Sequence, residues 1–368
     1  MSDKLHITWV LPEAGLAGGV RAVGIYAQRL AARGHKVTIV AAARPKNWKW
    51  AVKDVFRGHG WSRVVKPDRS HLDALPGVSV RKLGKAGPLR DADVPDADVV
   101  VATWWETAHW VAELSANKGA KAYFMQDYGG VGQPLESVAR TWELPLSMVT
   151  ISGFCHDLIK AHTDRPATIV LNGVDLERFA APPRERQAVP TVGTLWRDLH
   201  AKGGDIVLEA VAQAKGRVPE LRFIGFGDKP ADVRGQLLKD FVWRVSDEQL
   251  PGVYGGCDAW LFASRREGFG LPILEAFACR TPVIATPAAA APQLVSEANG
   301  QLLADYEPAS MAAAIERLAG LSPEAWRAKS DAARATAEAN TWARATDQME
   351  AALARAASGQ PVVDGLPG

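Results

Sequence analysis

Residues 264–285 read Ser-Arg-Arg-Glu-Gly-Phe-Gly-Leu-Pro-Ile-Leu-Glu-Ala-Phe-Ala-Cys-Arg-Thr-Pro-Val-Ile-Ala. The string reads as strand end, loop, helix and strand. Gly268 and Gly270 let a backbone come close to a ligand, and Pro272 suits a first helical turn. The unpaired N–H groups at such a helix start form an anion site. Glu267 lies in the loop and Glu275 on the first turns of the helix, with seven residues between them. Both can face one ligand bound over the helix start. A carboxylate accepts hydrogen bonds from vicinal hydroxyls such as sugars and riboses carry.

Upstream, the chain repeats one theme. Leu5–Leu11 is a β-rich apolar run, followed by a glycine turn from Gly15 to Gly19. Val23, Tyr26, Ala27 and Leu30 then fall on one helical face, and Gly34 is placed to stop that helix. Val37–Val40 is the next buried strand, and the pattern recurs at Val78–Leu83, Asp98–Thr103, Ala122–Met125 and Met148–Ser152. Such units build parallel sheets. After the polar, proline-containing stretch 180–187 a second series begins at Thr191–Gly193. It has a helix carrying Val207, Ala210, Val211 and Ala214, then strands at Leu221–Gly225, Ala259–Ala263 and Pro282–Ala285. The expected organisation is an N-terminal Rossmann-like domain over 1–178 and a second Rossmann-like domain over 188–340. A helix over 341–357 returns to the first domain, and a frayed tail follows over 358–368. Two doubly wound domains are expected to face each other across a cleft, with functional residues in the post-strand loops.

Composition sets outer limits. With 368 residues, 47% hydrophobic and 23% charged, the chain can fill two packed domains and is neither disordered nor collagen-like. Lys+Arg minus Asp+Glu is 43 − 41 = +2, which argues against a dedicated nucleic-acid binder. Cys155, Cys257 and Cys279 are odd in number and far apart, so neither a disulfide framework nor a zinc ribbon is expected. There is no signal-peptide pattern at residues 1–4 and no long uncharged apolar run. The expected location is therefore the cytoplasm, with peripheral contact at the inner membrane face as an extension.

Glu267 and Glu275 with the intervening Gly268-Phe269-Gly270-Leu271-Pro272 resemble the E-x(7)-E signature of retaining glycosyltransferases of family 4, which have the GT-B fold. The resemblance extends along the chain, through Gly18-Gly19-Val20-Arg21, Arg33–Val37, Leu171–Phe179 and Lys202-Gly203. Gln126-Asp127-Tyr128 is similar to a rhamnosyltransferase-like subgroup. The resemblance implies a nucleotide diphosphate-sugar donor bound by the domain over 188–340 and a glycan, lipid-linked or small-molecule acceptor on the side of the domain over 1–178. No cofactor is expected, and no metal, because the eight histidines show no H-E-x-x-H or comparable spacing. It implies that Glu267 contacts donor-sugar hydroxyls, Glu275 the ribose, and the backbone of Gly268, Phe269, Gly270 and Leu271 the sugar and phosphate. Lys202 would neutralise the diphosphate, helped by Arg197, with Gly18 and Gly19 facing it from the first helix. Val242 would mark the base site, and Asp127 would orient the acceptor. Two departures stand out: Thr194 follows Gly193 where relatives often have arginine, and Gln126 stands where many relatives have histidine. His109 is a substitute for that histidine or an ordinary helix-face residue. A GT-B phosphorylase or epimerase, and a non-catalytic nucleotide-sugar-binding protein, are the alternatives.

Asp91/Asp93 and Asp96/Asp98 have D-x-D spacing but lie in a proline-containing loop, where Asp is a common turn residue. Gly225-Phe-Gly227 is not completed to G-x-G-x-x-G, and no P-loop is present. The segment 44–66 carries Arg44, Lys46, Lys49, Lys53, Arg57, Arg63 and Lys66 interleaved with Trp48, Trp50, Phe56 and Trp61. It reads equally as a surface for anionic lipid and as a solvated helical insertion.

Overall fold

The computed structural model describes residues 4–45, 64–65, 69–128, 135–196, 200–227, 240–243 and 245–367. By contact the chain divides into two compact units. One comprises 1–151, 155–170 and 345–368; the other comprises 152–154 and 171–344.

The first unit is built on a seven-stranded sheet. Its strands are β1 (His6–Leu11), β2 (Lys36–Ala41), β3 (Val78–Lys82), β4 (Val99–Ala102), β5 (Ala120–Met125), β6 (Ser147–Thr150) and β7 (Ala167–Ile169). They run in the order β3-β2-β1-β4-β5-β6-β7, all parallel. β1 and β4 are buried almost end to end, which a parallel sheet covered on both faces demands. Helix α1 (Gly18–Ala32) buries Val23, Tyr26, Ala27 and Leu30, and Tyr26 packs on Trp9 and Phe124. Helix α2 (Trp105–Glu113) follows β4, and α3 (Gly153–Thr163) follows β6.

The second unit has a six-stranded sheet of β8 (Thr191–Trp196), β9 (Arg222–Gly227), β10 (Asp240–Trp243), β11 (Ala259–Phe262), β12 (Val283–Ala285) and β13 (Gly300–Leu302). Its order is β10-β9-β8-β11-β12-β13, again parallel throughout. The helices used below are α4 (Gly204–Lys215), α5 (Leu250–Gly255), α6 (Leu271–Ala278), α7 (Pro308–Ala319), α8 (Pro323–Ala339) and α9 (Trp342–Ala357). α4 and α7 close over a core that includes Val207, Val211, Leu261, Met311 and Ile315. In each sheet the strand order reverses once, between β1 and β4 and between β8 and β11. In such sheets ligands bind beyond the carboxyl ends of the strands at that reversal.

Two expectations about the chain's course need correction. The segment around Leu171–Phe179, expected to close the first domain, belongs to the second unit. There Val174 N–H donates to Asn340 O at 3.0 Å, and Gly173 packs so closely on Thr341–Trp342 that a Cβ would lie 2.1 Å from Trp342 N. The tail beyond Ser358, expected to fray, is bound to β7. Gly365 exchanges two backbone hydrogen bonds with Ala167 and Ile169, at 3.0 and 2.8 Å. Asp364 accepts the Ala167 N–H at 3.0 Å and lies 3.0 Å from His156 Nε2. The open edge of the sheet supplies the partners that local periodicity could not announce. The part of α9 from Ala345 on is held in the first unit by Arg33, which pairs with Glu350 and Asp347 at 2.6 Å each, and by His35, 2.9 Å from Glu350.

Candidate functional site

The two loops at the reversal of the second sheet are fastened to each other. After β8 comes the turn His200–Lys202, then Gly203 with φ +67° as the residue before α4. A Cβ on Gly203 would lie 1.9 Å from the Ala263 carbonyl oxygen, so no other residue fits between this turn and the end of β11. Ala201 O accepts the backbone N–H groups of Arg265 and Arg266 at 2.9 and 3.1 Å. Arg265 forks onto Asp205 at 2.6 and 2.7 Å and also reaches His200 O. That pairing holds the Asp205 carboxyl below its ordinary range. The result is a rigid bracket that carries Lys202 and Glu267 side by side. Lys202 Nζ donates to Glu267 Oε2 at 2.5 Å, with both side chains about one quarter exposed.

The segment between the glutamates is held by its backbone. The Ser152 hydroxyl donates to Gly268 O at 3.0 Å, and Ala290 N–H donates to Phe269 O at 3.1 Å. Gly270 has φ +93° and turns the chain directly into α6, with Pro272 in the first turn. Phe269 is buried, so its side chain anchors the loop and the loop's polar groups are backbone. The first N–H groups of α6 have no carbonyl earlier in the helix to bond, and they carry the positive end of its dipole. One turn on, Glu275 Oε2 accepts a 2.6 Å hydrogen bond from the hydroxyl of Tyr254 on α5. Together the elements present a cation, two carboxylates and a helix start along one loop system. That set suits an anionic group attached to hydroxyl-bearing rings.

In the first unit the equivalent loops follow β1 and β4. Gly18 and Gly19 open α1. The side-chain amide of Gln126 lies against Gly19, 3.4 Å from where a Cβ would stand. Asp127 Oδ1 accepts the Tyr128 N–H at 2.7 Å. His109 is half-buried on α2 with its ring edge-on to Trp105, 6.4 Å between centroids. Glu106, at the start of α2, was not singled out by sequence reasoning. Burial, and secondarily the charge of Glu13, push its carboxyl above the ordinary range. Among the described residues, no cluster of three or more His, Cys, Asp or Glu could hold a metal ion.

The remaining expected positions fall as follows. Arg197 lies outside the described residues, as does most of the basic, tryptophan-rich stretch. At the ends of that stretch, Arg44–Pro45 and Val64–Val65 pair antiparallel. Val242 pairs with Phe226 on β9. The D-x-D pairs are consumed by local structure: Asp91 binds Ser115, Asp93 binds Lys85, Asp96 binds Lys118, and Asp98 accepts the His6 N–H at 2.6 Å. Cys155, Cys257 and Cys279 are buried and form no disulfide with one another. Among the described residues, no helix is long and apolar enough to cross a membrane. Sequence reasoning missed Tyr254 and Arg265. The first carries no motif, and the second lies within the signature string but acts through Asp205, distant in sequence.

Comparison with known proteins bears on this geometry. Residues 186–320 match the family described as glycosyl transferases group 1. D-inositol 3-phosphate glycosyltransferase of Saccharomonospora viridis is 32% identical over 221 residues, covering 52% of this chain and 51% of the relative. The GDP-mannose-dependent alpha-(1-6)-phosphatidylinositol dimannoside mannosyltransferase of Mycobacterium tuberculosis is 29% identical over 224 residues, covering 56% of this chain and 57% of its own length. The chain thus spans about half the length of the curated relatives it matches. The crystal structure of Anabaena Alr3699/HepE in complex with UDP and glucose superimposes with a TM-score of 0.68 at 18% identity, covering 95% of this chain and 99% of that one. This chain has the GT-B fold, and within its second unit residues 186–320 match the glycosyl transferases group 1 family.

Proposed function

We propose that the protein is a retaining glycosyltransferase that moves a sugar from a nucleotide diphosphate-sugar to an acceptor hydroxyl. The observation that carries this reading is the 2.5 Å pairing of Lys202 with Glu267 on the bracket beside the start of α6. A leaving diphosphate needs positive charge placed in advance, and the ammonium and the helix start provide it. Glu267 serves the sugar hydroxyls and Glu275 the ribose. The backbone of Gly268–Leu271 lines the path between them. The transition state is oxocarbenium-like, so the protein's contribution is positioning and charge stabilisation. Relatives named for inositol phosphate and phosphatidylinositol dimannoside acceptors support a polyol, glycan or glycolipid acceptor. Asp127 is the first unit's candidate for orienting it.

The test is a thermal-shift screen of UDP, GDP, ADP and their sugars, followed by transfer of a labelled sugar. A ligand at one hundred times its Kd stabilises the native state by about 2.7 kcal/mol. Binding without transfer to any polyol, glycan or lipid acceptor would favour a nucleotide-sugar-binding protein, the reading that Gln126 in place of histidine supports. Inversion at the anomeric carbon, read by NMR of the product, would refute retention. Peripheral membrane contact through residues 44–66 belongs to the same proposal. It predicts salt-sensitive flotation with anionic vesicles, about 1 kcal/mol per basic residue near the surface.

A further inference from the structure

Tyr254 belongs to no motif, yet it is among the most constrained polar side chains of the second unit. Its ring is fully buried. Trp260 packs 4.4 Å away, and Phe226 and Phe179 meet it edge-on at 5.8 and 6.0 Å. Its own carbonyl accepts the Thr281 hydroxyl at 2.8 Å, which ties the end of α5 to the turn after α6. The phenol therefore has one direction in which to point, and there its hydroxyl meets Glu275 Oε2 at 2.6 Å. Burial first, and the Glu275 charge next, raise the phenol's pKa far above its ordinary value. The group keeps its proton at any working pH and can only donate to the carboxylate.

We propose that Tyr254 is a positioning residue through which Glu275 reads the nucleotide ribose. The inference rests on the donor reading given above. A glutamate on a helix has three rotatable bonds and sweeps a wide arc when unrestrained. Recognition of a vicinal diol requires the carboxylate plane to be set before the ligand arrives, because each rotor ordered on binding weakens it. The Tyr254 hydroxyl sets that plane from inside the unit, on a ring that cannot move. The consequence is selective: losing the hydroxyl should blunt discrimination between hydroxyl-bearing and hydroxyl-free riboses, and leave the phosphate contacts alone.

The experiment is calorimetry of the full chain with UDP, GDP and ADP, and with the 2′,3′-dideoxy form of whichever binds. Wild type should prefer the ribonucleotide. Tyr254→Phe, which removes one oxygen and keeps the ring, should cut that preference about tenfold, with affinity for inorganic pyrophosphate unchanged. Glu275→Ala should remove the preference, and Tyr254→Phe added to it should change nothing further. The proposal is overturned if Tyr254→Phe keeps the wild-type preference, or weakens both forms equally, as loosened packing would. It is also overturned if the two substitutions act additively. Should wild type bind none of the nucleotides, the donor reading fails as well, a result distinct from all of these. Far-UV dichroism and a melt of each variant establish that it is folded.

Discussion

The same strand order appears in both units, but the loops at its reversal are built differently. In the second unit they are bolted together: Gly203 is wedged against Ala263, Arg265 grips Asp205, Lys202 meets Glu267, and Tyr254 fixes Glu275. In the first unit, among the described residues, no atom beyond its chain neighbours and its own helix backbone lies within 4 Å of where a Gly18 side chain would begin, and Gln126 merely rests against Gly19. On the proposed donor reading, these fastened charges would meet a nucleotide diphosphate on a fixed frame. On the same reading, the less crowded glycine turn of the first unit would leave room for the acceptor.

A pair of alanine substitutions should break this contrast most sharply if it is wrong. Gly203→Ala forces a residue with φ +67° to carry a Cβ into a backbone carbonyl. It should destabilise the protein by about 3 kcal/mol and abolish nucleotide binding. Gly18→Ala meets no side chain among the described residues and should stay within about 0.5 kcal/mol of wild type. Urea melts of the two variants decide it; equal costs would mean the bracket is no more rigid than the glycine turn.

Next in size is Lys202→Ala. On the proposed donor reading it removes a charge-assisted phosphate contact, and it should weaken nucleoside diphosphate affinity by about 1.5–3 kcal/mol, leaving nucleoside affinity untouched. Calorimetry with both ligands measures the difference. Glu267→Gln acts on the same pair in the opposite sense. On the same reading, an arriving diphosphate must share Lys202 with the Glu267 carboxylate that pairs with it. The neutral amide should therefore tighten binding of the free diphosphate about fivefold while sugar transfer falls to background. The two responses would differ in sign, and matching signs would remove Glu267 from the donor site.

The smallest effect belongs to the first unit. Burial and Glu13 raise the Glu106 pKa, so the folded state holds that proton more tightly than the unfolded chain does. The side chain then favours folding fully only below the unfolded value of about 4.3, and this contribution is lost as pH rises through the higher folded value. Glu106→Gln should raise the melting temperature at pH 7–8, on the order of a degree or two, with the gain vanishing near pH 4. A gain independent of pH would show that the effect is packing rather than ionisation.

Much of this protein was legible in its sequence. Buried strands announce themselves by apolar runs and α1 by its 3.6-residue period. The string from Glu267 to Glu275 carries loop, helix start and both carboxylates within one local stretch, so spacing alone places them together. What only the tertiary structure decided involves partners far apart along the chain. Lys202 and Glu267 are 65 positions apart, and Asp205 and Arg265 are 60. Tyr254 reaches Glu275 across 21 positions, from a helix with no motif. The tail from Ser358 shows no periodicity, yet it is held to β7, some 200 positions earlier. Periodicity reports which face of a segment is buried. It does not report which surface covers that face, because that depends on how strands separated by a hundred residues are ordered in a sheet.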